Sequence, residues 1–213
     1  MWTPRLDIPI SASAVWGLGW MRLIGVASAA ALTLGVGLGG SSLLSYHEAL
    51  VAQGAREMIA RGDWLVPTIG GIPWLEKPPL AHWLVALGGV CFGGINETVA
   101  RLPSALAAGL LVVLMAGWAA CRFGGRIGLL TGLIQATTIW TVQRGRLADV
   151  DIMLTALIAA ALILWDAVRR SSEDEDGAPA RSRSRGRWLW AFFVVLGLTS
   201  WAKGIGFGAV LVL

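Results

Sequence analysis

The sequence predicts an all-α integral membrane protein: a bundle of transmembrane helices with one long external loop. Two observations carry that expectation. Of 213 residues, 56% are hydrophobic and 14% charged, whereas soluble domains carry about 25% charged residues. The mean hydropathy is +0.69. The apolar residues also fall into runs close to the roughly 20 residues that a membrane-crossing helix needs, and the polar residues collect between them. A formal net charge of +4 decides little, because in a membrane the placement of Arg and Lys matters more than their sum. The membrane itself is the expected partner of such a chain, and no nucleic acid is.

Taken in order, a cytoplasmic N-terminus over residues 1–22 precedes a first span at 23–44, which is too long and too far from the start for a cleavable signal peptide. Spans follow at 99–120, 127–142 and 152–168, and a fifth begins near residue 188 and runs towards 213. An apolar stretch at 79–94 is shorter and contains His82. Arginine placement decides how it lies. If it does not cross, Arg5, Arg22, Arg122, Arg126, Arg169, Arg170, Arg181, Arg183, Arg185 and Arg187 share the cytoplasmic side, ten of the 17 basic residues. If it crosses, the arginine-rich loops move outside, against the positive-inside rule. The stretch is therefore expected to lie on the outer membrane surface as an interfacial helix.

This topology makes 23–168 a membrane domain with an external loop at 45–98 and a second external turn at 143–151. "RRSSEDEDGAPARSRSRGR", residues 169–187, has no apolar periodicity and reads as a disordered cytoplasmic loop. The chain lies across the inner, or plasma, membrane with its N-terminus inside. Cys91 and Cys121 have neither CxxC spacing nor His neighbours, so neither a metal site nor a disulfide is expected.

The external loop begins "SYHEALVAQGAREMIARG", with Val51, Ala55, Met58 and Ile59 at helical spacing and Gly62 to end the helix. His47 and Glu48 open that helix at the water–lipid boundary, where partial desolvation can raise a carboxylate's basicity. An acid in a first helical turn also suits the helix dipole, and the pattern leaves both readings of Glu48 open. In "GGIPWLEKPPL", Gly70 and Gly71 make a turn and Pro78-Pro79 stiffens the exit, which holds Lys77 at the interface. Lys77 there either neutralises a phosphate or snorkels beside Glu76. In "RGRLADVDIML", Asp151 opens the fourth span, and the turn reads equally as a structural ion pair, with Arg146 as the partner, or as a site. Lys203, in "SWAKG", is a lysine within an apolar span and on that ground a functional candidate.

The order "HEALVAQGAREMIARGDWLVP", "GIPWLEKPPLAHWL", "ARLPSAL", "FGGRIGLL", "RGRLADVDIML", "AKG" resembles the bacterial dolichyl-phosphate-mannose-protein mannosyltransferase-like family, which includes the lipid A aminoarabinose transferases. The resemblance covers residues 43–204. It implies a GT-C-type membrane helix bundle and an inverting transfer of a sugar from a polyprenyl-phosphate donor to a lipid or protein acceptor on the outer face. It also implies roles for particular residues. Glu48 and Asp151 match the family's external acids, and His47 stands where the family shows aspartate. Lys77 matches the lysine of the Glu-Lys-Pro motif that looks like a contact for the lipid phosphate. Arg56, Arg146 and Lys203 are the further cations expected near it, and histidine can serve as a base because it titrates near neutrality. No cofactor is expected beyond a divalent cation, for which Glu48 and Asp151 offer oxygen ligands; the carboxylates can equally act without metal. The chain ends inside the apolar run "GAVLVL", so it reads as the N-terminal part of a longer enzyme. Two other readings compete: a transporter subunit, against which stand the absence of a repeat and the gathering of charges at one interface, and an inactive binding or assembly protein, suggested by His47.

Overall fold

The computed structural model describes residues 18–40, 45–173 and 179–204. They form eight helices and one two-stranded hairpin: α1 (Trp20–Gly35), α2 (Tyr46–Arg61), β1 (Thr68–Ile69), β2 (Ile72–Pro73), α3 (Leu80–Phe92), α4 (Glu97–Phe123), α5 (Gly125–Thr137), α6 (Ile139–Gly145), α7 (Val150–Glu173) and α8 (Pro179–Lys203).

Helix α4 is the axis of the bundle, packing against α1, α2, α3, α5, α6 and α7. Its approach to α5 is set by small residues. A Cβ added to Gly128 would lie 2.4 Å from the Ala120 Cβ, and one added to Gly132 would lie 2.9 Å from the Ala116 Cβ and 2.7 Å from Val26. Gly128 and Gly132 are one helical turn apart, as are Ala116 and Ala120, so two small-residue stripes face each other. This is how helices associate where lipid removes the hydrophobic drive between them. The core follows the contact: Val26, Ala30 and Leu34 of α1, Ala108, Leu111, Val112 and Ala116 of α4, Ala136 of α5, and Ile152 and Met153 of α7 are buried together.

Two described helices, α4 and α7 over Val150–Ser171, are long and apolar enough to cross a membrane; Trp20–Gly35 and Leu80–Phe92 are shorter apolar helices. Several boundaries differ from the sequence expectation. The first span, expected at 23–44, ends as a helix at Gly35, because "GVGLGG" loads the next turns with glycine at about 1 kcal/mol each; residues 41–44 lie outside the described residues. The third, expected at 127–142, is two helices broken at Thr138, whose backbone is extended (φ −62°, ψ 123°). The Thr137 and Thr138 hydroxyls donate back to the Leu133 and Ile134 carbonyls, an alternative that competes with the helix ladder.

The loop expected to be disordered at 169–187 is helical at both ends, α7 reaching Glu173 and α8 starting at Pro179; residues 174–178 lie outside the described residues. Asp166 explains the persistence of α7. It pairs with Arg170 at 2.5 Å one turn later, approaches Arg122 and Arg169, and accepts from the Trp118 indole at 3.0 Å. Arg170 also sits in the last turn of the helix, where the macrodipole favours cations.

The opposite end of the bundle carries the polar chemistry. There α2 starts with a capping box, Ser45 with Glu48, and stops at Gly62 in the left-handed region (φ 68°). The β1–β2 hairpin turns through Gly70 and Gly71, both at positive φ, the pair of angles that a two-residue type I′ turn requires and glycine supplies. Glu57 of α2 holds this turn: its carboxylate accepts from the Gly70 and Gly71 N–H groups at 2.7 and 3.1 Å and from the Thr68 hydroxyl at 2.6 Å. The hairpin leads straight into Glu76-Lys77-Pro78-Pro79 and α3.

Candidate active site

Glu48 is the best-anchored group at this end. It is 1% exposed and receives the Arg101 Nε at 2.9 Å, the Ala148 N–H at 3.1 Å and the Ser45 hydroxyl at 3.2 Å. Arg101 comes from α4 and also donates to the Leu38 carbonyl at 2.9 Å. One carboxylate therefore joins α2, α4 and the 146–150 turn. Burial pushes its pKa up, but the Arg101 hydrogen bond, the Ala148 N–H, the Arg101 charge and the Ser45 N–H outweigh it and hold it below the ordinary value. A carboxylate kept ionised by donors on its lone pairs is a poor proton acceptor. The sequence offered Arg101 only as a position of the family-like motif "ARLPSAL", with no role attached.

His47, the neighbouring residue, points elsewhere. It is exposed and lines a small open cleft of about 20 Å³ together with Val51, Lys77, Pro78, Ala81, His82, Ala148, Asp149 and Val150, space for a water-sized group. Three walls make the cleft: the first turns of α2, the Lys77–Pro78 strap with the start of α3, and the 148–150 turn that opens α7. Lys77 is half-buried and makes no ion pair with Glu76 or any other described residue, so the snorkelling pair is not formed. Asp149 donates its backbone N–H to the Ser104 hydroxyl and accepts from it through its carbonyl. Its carboxylate binds Arg144 at 2.7 Å and caps α7 by accepting from the Asp151 N–H at 3.1 Å.

His82 is 2% exposed, and neither ring nitrogen has a hydrogen-bond partner. Burial, then the nearby charge of Lys77, pushes its pKa down to about 4. The sequence marked His82 only as a polar residue in an ambiguous apolar segment.

The remaining expected residues lie outside the cleft. Asp151 is paired with Lys203 at 2.5 Å rather than with Arg146, because α7 and α8 are antiparallel and bring the start of one to the end of the other. Arg146 instead donates to the Thr33, Val36 and Gly37 carbonyls at 3.0, 2.8 and 3.2 Å, satisfying the open end of α1 with a cation, as a helix C-terminus favours. Arg56 donates to the Ile95 carbonyl at 2.8 Å and staples α2 to the α3–α4 turn. Glu48 and Asp151 are thus engaged with separate cations, and among the described residues no group of three His, Cys, Asp or Glu converges for a metal.

The sequence model of the dolichyl-phosphate-mannose-protein mannosyltransferase family matches residues 49–213. The chain belongs to this family. It is 33% identical over 132 residues to the undecaprenyl phosphate-alpha-4-amino-4-deoxy-L-arabinose arabinosyl transferase of Aeromonas salmonicida, covering 60% of this chain and 23% of that protein. It is 40% identical over 91 residues to the protein of the same description from Shewanella sediminis, covering 42% and 16%. The crystal structure of ArnT from Cupriavidus metallidurans bound to undecaprenyl phosphate superposes with a TM-score of 0.74 at 27% identity, over 89% of this chain and 33% of that one. The apo form of the same protein gives 0.76 at 25% identity, over 94% and 35%. The fold is accordingly the all-α, GT-C-type membrane bundle, and the chain spans about a quarter of the curated relatives it matches and a third of the solved structures.

Proposed function

We propose that this chain forms the phosphate-facing part of a glycosyltransferase that moves a sugar from a polyprenyl-phosphate donor to an acceptor on the outer face of the inner membrane, with the 45–98 loop external and the N-terminus cytoplasmic. The observation that carries the reading is the meeting of Lys77 and His47 in one cleft, within a fold similar to a structure that holds undecaprenyl phosphate.

The chemistry divides among the residues by position. The acceptor hydroxyl oxygen attacks the anomeric carbon from the face opposite the phosphate. The bond between that carbon and the phosphate oxygen breaks, and its electron pair leaves with the phosphate. Lys77, a compact charge with no carboxylate to neutralise it, stabilises the negative charge that builds on the leaving phosphate. His47, exposed on the facing wall, takes the acceptor proton as its neutral imidazole. Glu48 fixes the helix turn that presents His47, and serves through position. Asp149 closes the third wall and is held there by its ion pair with Arg144. The Asp151–Lys203 pair, which begins two residues further along the chain, braces the ends of α7 and α8. A lipid or a protein acceptor would reach the cleft from the same interface.

The test is a transfer assay on membranes containing the full-length protein, with a panel of polyprenyl-phosphate sugars. Wild type is expected to use at least one donor. Lys77→Ala should lower kcat/KM for that donor strongly, with Lys77→Arg restoring only part, since a planar fork and a point charge do not fill one pocket alike. His47→Ala should reduce kcat by roughly 10²-fold or more, the worth of a general base, and His47→Asp should restore transfer. Normal donor use in Lys77→Ala, or no transfer from any donor, contradicts the reading.

A further inference from the structure

A buried imidazole with two idle nitrogens is an expense that a folded chain does not carry without use. Buried polar side-chain atoms nearly always have partners, and leaving one unmet costs its desolvation. His82 has no partner at Nδ1 or Nε2, although it is 2% exposed. Its position is also tightly constrained. A Cβ on Gly54 of α2 would fall 2.6 Å from the His82 Cδ2 and 3.0 Å from Nε2. The glycine therefore gives the ring its seat, and the Cδ2–Nε2 edge rests on α2 while Nδ1 lies on the far side of the ring. The ring also lines the cleft that contains Lys77, His47 and Asp149.

What would satisfy it follows from its neighbours. Burial first, and then the charge of Lys77, disfavours a proton on the imidazole, so the ring stays neutral and keeps one N–H donor and one acceptor. The negative group on the opposite wall, Asp149, is already taken by Arg144. The corner between Lys77 and His82 is thus one cation and one N–H donor without an anion. A tetrahedral oxyanion offers several acceptor oxygens and can meet both groups at once.

We propose that His82 is a second phosphate-contacting residue of this cleft, donating a ring N–H to one oxygen of the donor phosphate while Lys77 neutralises another. This rests on the reading of Lys77 given above.

Three substitutions test it in the full-length protein. His82→Phe keeps the ring and drops both nitrogens. His82→Asn and His82→Gln each return an amide donor, near the Nδ1 and Nε2 positions respectively. Donor KM and kcat are measured with a polyprenyl-phosphate sugar, and affinity for a short-chain polyprenyl phosphate alone is followed by thermal shift. His82→Phe is expected to raise donor KM and weaken the phosphate by roughly tenfold, the worth of one hydrogen bond to a charged group, with the acceptor KM unchanged. One of the two amides, and not the other, should recover most of the affinity. If His82→Phe binds the phosphate like wild type while Lys77→Ala loses it, His82 only packs and the proposal falls. If Lys77→Ala binds like wild type as well, the reading of Lys77 falls with it. Should His82→Phe fail to accumulate, the amide pair decides: equal affinity of the two overturns the proposal, and a difference of about tenfold upholds it.

Discussion

At the scale of single residues, the site is organised by one buried ion pair, and its energetics are asymmetric. Glu48 and Arg101 bury almost completely, at 1% and 4% side-chain exposure, so neutralising either leaves the other a buried charge without this counter-charge. Arg101→Met or Glu48→Gln should each cost roughly 3–5 kcal/mol, and the double variant should recover part of that because no charge is left alone; thermal unfolding in detergent measures it. His82 gives a pH signature. Its folded pKa is lowered to about 4, whereas an unfolded histidine titrates near 6.5. Between those values the unfolded chain binds more protons, so stability should fall as pH drops from about 6.5 to 4 and then level off. His82→Phe should flatten that limb of a melting-temperature profile; an unchanged limb would place the titration on another group. Much at this scale was not legible in the sequence. Glu48 and Asp151 stood out as acids at the edges of apolar segments, but a string of residues does not say whether an acid faces a cleft or a cation. Arg101 lies 53 residues from Glu48, a pairing that only the packing of α2 on α4 creates. The pairing of Asp151 with Lys203 likewise needs the antiparallel α7–α8 arrangement.

At the scale of elements, the hairpin is a lever and Glu57 its fulcrum. The hairpin strands are two residues each, too short to be stable alone, and the Lys77 strap depends on them. The Thr68 and Gln53 hydrogen bonds lead the causes that lower the Glu57 carboxyl to about 2. That stabilisation is complete above the ordinary unfolded value of about 4.3 and is lost as pH falls through about 2. Glu57→Gln should therefore loosen the hairpin at pH 7, seen as faster amide exchange at Gly70 and Gly71, and the difference from wild type should shrink towards pH 2. The glycine turn and the stiff proline exit were readable because Gly-Gly and Pro-Pro limit the backbone by themselves. The break at Thr138 was not, since hydropathy is continuous across it and the cause is a local contest for hydrogen bonds. The α4–α5 contact gives a further test. Gly132→Leu must push apart surfaces that leave no room for one Cβ, and should lower the melting temperature by several degrees, while Gly197→Leu, with open space around it, should not.

At the scale of the whole molecule, the arrangement separates two ends. One gathers α2, the hairpin, α3 and the 146–150 turn. The other gathers Arg122, Arg169 and Arg170 around Asp166. The bundle class was legible from composition and run length, and the asymmetry from the arginines, because both are sums over many residues and survive local errors in helix ends. In a background lacking Cys91 and Cys121, a cysteine at Gly71 should react with an impermeant thiol reagent on intact cells, and one at Gly124 should react only after permeabilisation; the reverse pattern would invert the topology. The central claim is that the cleft between His47, Lys77 and Asp149 receives the phosphate of a polyprenyl-phosphate donor. Photo-crosslinking of the full-length protein with a short-chain polyprenyl phosphate carrying a photoreactive group beside the phosphate tests it most directly. Label is expected on the peptides around His47, Lys77 and Asp149, competed by unmodified polyprenyl phosphate and lost in Lys77→Ala. Label confined to other parts of the protein, or undiminished by Lys77→Ala, would contradict the account.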